Sequence, residues 1–152
     1  MSMIEARAEM YAKDIAEQGA PFDNCICFME CNKIKMYRPG GRKDLQRATY
    51  SRHKRFNCLI YQIVTKTDGL IFYLCDPEVG RRHDMVLYRK SGLGAILADG
   101  MFIKGKQFCI YGEAAYMMLP WIQVAYPRTN ATADELDYKV AMSAVREAIE
   151  WT

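Results

Sequence analysis

Residues 22–29, FDNCICFM, constrain the chain more than any other stretch, because after Asp23 they hold no charge and little that is not apolar or cysteine. A strand of that composition has to be covered on both faces, as the inner strands of an α/β sheet are. It is expected to close at Glu30. Residues 56–65 (FNCLIYQIVT) form a second strand, and Asp68-Gly69 after them signals a hairpin into residues 70–75. Residues 107–111 (QFCIY) give a further short strand, ended by Gly112.

Helical segments alternate with these strands. Ser2 and Glu5 fit a capping box, and Met3, Met10 and Ile15 lie roughly along one side of a helix ending near Gly19-Ala20-Pro21. Residues 85–98 read as one helix. Residues 116–126 contain Pro120 and read as a short helix and loop. Thr132-Ala133-Asp134-Glu135 opens a last helix, whose stripe is Leu136, Val140, Ala144, Val145, Ala148 and Ile149. Between the first two strands, Pro39-Gly40-Gly41 marks a loop with a short strand or helix inside it. This order predicts one α/β domain over residues 1–152, a mixed sheet with helices on both faces. A hairpin after the first strand, then crossover helices, is the layout of the ribonuclease H-like fold, and other mixed α/β folds fit the same string.

Composition narrows the class. The 152 residues are 51% apolar and 26% charged, with 10 Gly and 5 Pro, which excludes collagen-like, low-complexity and disordered chains. No apolar run approaches the roughly 18 residues of a membrane span. The first residues lack a basic segment followed by an apolar one, so an intracellular chain and no membrane association are expected. In that setting the six cysteines are expected to be buried thiols. Cys25, Cys27 and Cys31 beside His53 match no usual zinc spacing.

The formal net charge is only +3, but it is unevenly placed. Residues 33–55 hold Lys33, Lys35, Arg38, Arg42, Lys43, Arg47, Arg52, Lys54 and Arg55 against the single acid Asp44. Acidic clusters flank this strip on both sides. Such a strip is either a surface that tracks phosphates beside a metal site or a solvated loop. His53 could join it, or tether the loop to the core. The tyrosines show no alternation with basic residues that would make a stacking platform.

Glu30 closes the first strand, Glu113 follows the last by two residues, and Glu150 stands on the closing helix. If the two strands are neighbours, three convergent carboxylates offer the oxygen ligands that Mg2+ or Mn2+ requires. Each acid also has a plainer reading. Glu150 could pair with Arg146 across one helical turn, Glu113 could favour a helix N-terminus, and Glu30 could be a solvated strand end.

Several strings taken together resemble the DDE superfamily endonuclease domain: Tyr50-Ser51-Arg52-His53-Lys54-Arg55, Gln62, Asp68-Gly69-Leu70, Gly80-Arg81-Arg82-His83-Asp84, Ser91-Gly92-Leu93, Tyr111-Gly112-Glu113-Ala114-Ala115-Tyr116, and residues 142–151 (MSAVREAIEW). More narrowly, the chain is similar to PIF/Harbinger-type transposase catalytic domains, over residues 22–151. The resemblance implies a ribonuclease H-like fold and metal-dependent cleavage or strand transfer on DNA, in the nucleus. It puts Glu30, Glu113 and Glu150 at the three acidic positions holding Mg2+ or Mn2+. Asp84, from the family's His-Asp pair, is implied as an accessory to the metal. Lys33, Lys35, Arg38, Arg42, Lys43, Arg52, His53, Lys54, Arg55, Arg81 and Arg82 are the expected DNA contacts. The family carries Asp where Glu30 and Glu113 stand, and Gly-Thr where Cys31-Asn32 stand. Those departures leave two expectations: a nuclease, which could be weakened, or a catalytically inactive, domesticated module that binds DNA or a protein partner. A ribonuclease H-like enzyme acting on RNA is a third.

Overall fold

The computed structural model describes residues 3–126 and 129–150; for Met3, Ile149 and Glu150 it describes the backbone only. Ser2, Trp151 and the stripe position Ile149 therefore lie outside the described side chains.

The chain opens with helix α1 (Met3–Glu17), followed by strand β1 (Cys25–Lys35). Helix α2 (Lys43–Thr49) and the short strand β2 (Tyr50–Ser51) lead into the long strand β3 (Phe56–Lys66). Strands β4 (Ile71–Leu74) and β5 (Glu78–Val79) pair back onto β3. Helices α3 (Asp84–Lys90) and α4 (Leu93–Gly100) cross to the β6–β7 hairpin (Phe102–Ile103, Lys106–Gln107), and then come β8 (Cys109–Gly112), β9 (Ile122–Val124) and α5 (Ala133–Glu150).

The main sheet runs in the order β2-β3-β1-β8-β9. β1 and β3 are antiparallel, whereas β8 runs parallel to β1 and β9 parallel to β8. α1, α3 and α4 cover one face, where Tyr11, Leu93 and Leu97 pack with Cys27, Met29, Val64 and Ile110. α5 covers the other, packing Met142 and Val145 on Phe28, Cys109 and Tyr111. This is a mixed α/β sheet with helices on both faces, compatible with a ribonuclease H-like fold, as the order of elements predicts. No helix among the described residues is long and apolar enough to cross a membrane.

Four expectations need correction. β1 does not close at Glu30 but continues to Lys35, because β3 pairs with it through Lys35↔Cys58 and satisfies the backbone of its polar half. The helix expected over residues 85–98 is two, since Gly92 takes the left-handed conformation (φ 71°) and breaks the ladder between α3 and α4. Residues 116–126 hold a strand rather than a helix. Pro120 sits in a tight turn closed by reciprocal Leu119–Ile122 backbone bonds of 2.9 and 3.0 Å, and β9 starts directly after it. The helix stripes are also rotated. In α1 the buried side is Ile4, Ala8, Tyr11, Ala12 and Ile15, with Met10 exposed; in α5 Met142 and Val145 are buried while Leu136, Val140, Ala144 and Ala148 face solvent.

Candidate functional site

The two sheet carboxylates are set by register. β1 and β8 are adjacent parallel strands in which Phe28 pairs with Tyr111 and Met29 with Gly112. Glu30 and Glu113 are each the next residue after this last pair, Glu30 still within β1 and Glu113 just past the end of β8. Phe28 and Tyr111, two residues earlier, pack beneath α5, and alternation returns Glu30 and Glu113 to that same face.

α5 brings its own charge to this place. Tyr138 anchors the helix in an aromatic cluster, with its ring 6.1 Å from Tyr111, 5.7 Å from Phe22 and 5.5 Å from Tyr126. Met142 and Val145 carry the packing along, and the Arg146 guanidinium reaches Glu113 Oε1 at 3.6 Å. Glu150 lies one turn beyond Arg146 on the same stripe of α5; its side chain lies outside the described residues. Glu30 Oε1 accepts a hydrogen bond of 3.2 Å from the Asn32 amide, two residues along the same face. Neither Asn32 nor the cross-element pairing of Arg146 with Glu113 was evident in the sequence, where Arg146 suggested only a partner for Glu150.

Asp84 stands elsewhere. It opens α3 and lies against the Cys31 thiol, which alternation puts on the opposite face of β1 from Glu30. There the Tyr116 hydroxyl is 3.0 Å from Cys31 Sγ and accepts a bond of 3.1 Å from Gln62 Nε2, while Ser91 Oγ donates to Gln62 Oε1 at 3.2 Å. Burial, with Asp84 adding to it, pushes the Cys31 thiol up to about 12, and burial beside Cys31 likewise raises Tyr116 well above the usual phenol range. Both groups are therefore neutral hydrogen-bonding partners at neutral pH. This polar chain ties the residue after Glu30 to the turn after Glu113, which the Tyr116 N–H closes by donating to the Glu113 carbonyl at 3.1 Å.

Oxygen donors are what Mg2+ and Mn2+ take, and Glu30 and Glu113 offer two carboxylates at the neighbouring ends of the paired stretch of β1 and β8. The donor chemistry fits such an ion. Among the described residues no group of three His, Cys, Asp or Glu side chains is placed to hold a metal.

The basic strip folds into a groove of about 1390 Å³ at the far end of β1. Lys33 and Lys35 line it from β1, and Arg38, Lys43 and Arg47 line it from the loop and α2. Arg52, His53 and Arg55 enter from the β2–β3 turn, and Arg81 and Arg82 from the segment after β5. Among the described residues no carboxylate lines it. Arg42 and Lys54 lie outside the lining, and Arg42 is engaged by Asp44 at 2.9 Å. The expected DNA contacts did not include His83, Tyr37 and Tyr50, which also line the groove. Gly80 brings Arg81 in. A Cβ there would collide with Cys58 Sγ and the Thr49 carbonyl, and the close approach allows Gly80 N–H to bond Cys58 O at 3.0 Å and Arg81 N–H to bond Ala48 O at 3.1 Å.

No curated protein and no solved structure matches the chain. A sequence profile of the DDE superfamily endonuclease family matches residues 29–152, a span that begins one residue before Glu30 and takes in Glu113, Arg146 and Glu150. With most of its length inside that match, the chain belongs to the DDE superfamily endonucleases.

Proposed function

We propose that this domain cleaves phosphodiester bonds of DNA with a divalent ion, Mg2+ or Mn2+, held by Glu30, Glu113 and Glu150. The observation that supports the reading is that Glu30 and Glu113 directly follow the paired Met29 and Gly112, and that Arg146 of α5 reaches Glu113. The ion these residues would hold would supply activation of a water and stabilisation of charge on the leaving oxygen. Asn32 donates to one carboxylate oxygen of Glu30 and so helps to orient it. Arg146 offsets the charge of Glu113 and orients it; as a half-exposed pair it holds the side chain loosely enough for it to turn toward a ligand. Glu in place of the family's Asp carries each carboxylate about 1.5 Å further from its strand. That length favours Mn2+, because Mg2+ requires stricter octahedral geometry. The basic residues around the groove guide the nucleic-acid backbone toward the site without reading its sequence.

A plasmid-nicking assay with Mg2+ or Mn2+ tests this. Metal-dependent nicking by the native chain, lost in Glu113→Gln, is the expected result. Nicking that survives Glu113→Gln, or none by either chain, overturns it. The contact between Arg146 and Glu113 favours a second reading, in which the pair is purely structural and the domain is an inactive, transposase-derived binding module. That module would bind DNA in a salt-dependent way and nick nothing.

A further inference from the structure

We propose that the basic groove binds single-stranded nucleic acid, stacking bases on Tyr37 and Tyr50. The inference rests on the groove taking nucleic acid and is independent of cleavage. Sequence order hides the platform, because Tyr37 and Tyr50 are separated by α2 and come to line one groove only once the chain folds. Tyr37 is 97% exposed and Tyr50 42% exposed, yet both line a concavity whose charged walls are all basic. An aromatic face open to water among phosphate-binding cations suits unpaired bases, since a duplex keeps its base faces stacked inside.

The walls are held in place beforehand. The Arg38 guanidinium is fixed by two bonds to Gln46 Oε1, at 3.1 and 2.9 Å, and Gln46 is itself tied to the Pro39 carbonyl. Lys35 Nζ lies 5.8 Å from the Phe56 ring centre, and Gly80 fixes the approach of Arg81. Lys33, the lining residue on β1 nearest to Glu30, is three residues beyond it, about 10 Å along the strand. The groove therefore takes a strand running away from the carboxylates rather than the phosphodiester beside them.

Fluorescence anisotropy in EDTA, with labelled oligo(dT), oligo(U) and a DNA duplex of equal length, tests the inference without metal or turnover. Oligo(dT) or oligo(U) is expected to bind at least about tenfold tighter than duplex, and whichever binds tighter tells whether the strand is DNA or RNA. Tyr37→Ala should weaken single-strand binding by roughly 5- to 150-fold while Tyr37→Phe retains it. Arg81→Ala should lower the salt slope for every probe. Duplex binding as tight as single-strand binding, or an unchanged affinity in Tyr37→Ala, overturns it.

Discussion

At the scale of single residues, the side chains behind the carboxylates matter as much as the carboxylates. Tyr116 is 4% exposed and its hydroxyl serves both Cys31 and Gln62. Tyr116→Phe keeps the ring and removes that oxygen, leaving a buried amide donor short of a partner. The expected loss is about 1–3 kcal/mol in urea unfolding, with unchanged stability contradicting the role given to the hydroxyl. The family was legible in the sequence through the strings around the acidic positions, because short motifs travel with the strand ends that carry them. Asn32, Arg146 against Glu113, and the setting of Asp84 were not legible. Each depends on which strand or helix lies next door, and that information is non-local.

Elements show where local signals suffice. Thr132 opens α5 with a reciprocal cap: its N–H donates to Glu135 Oε2 at 2.7 Å and the Glu135 N–H donates to its Oγ1 at 3.3 Å. Thr132→Ala is expected to cost about 1 kcal/mol of stability. Gly92 offers the opposite lesson. Open space surrounds it, so Gly92→Ala tests backbone conformation alone, and the positive φ predicts a loss of about 1–2 kcal/mol by thermal or urea unfolding. No loss would mean that the α3–α4 break is set elsewhere. The strand β9 escaped the sequence because proline before a short apolar run reads the same way in a turn and in a helix-loop. The stripe of α5 was misread because apolar Leu136 and Val140 sit on the solvent side, while the aromatic cluster around Tyr138 decides which face docks.

Over the whole molecule, the buried thiols predict an alkaline limit. Cys27 is fully buried, and burial pushes its thiol from the ordinary 9.0 up to about 12. Below 9.0 the folded and unfolded chains both hold the proton. As pH rises from there toward 12 the unfolded chain loses it first, so stability falls by about 1.4 kcal/mol per pH unit for this thiol. Urea midpoints across that window should decline for the native chain and decline less for Cys27→Ala. Fold class was legible from the alternation of strand and helix signals, and so was the charge asymmetry. The concave shape of the groove was not, since two separate stretches of chain, residues 33–57 and 80–83, build it.

The central claim is that residues distant in the chain converge on one cation. Calorimetric titration of Mn2+ into the native chain, with Glu30→Gln and Glu113→Gln alongside, tests it most directly. The account predicts one saturable binding event that either substitution weakens by at least about tenfold. An absence of saturable binding, or the same affinity in all three proteins, would contradict it.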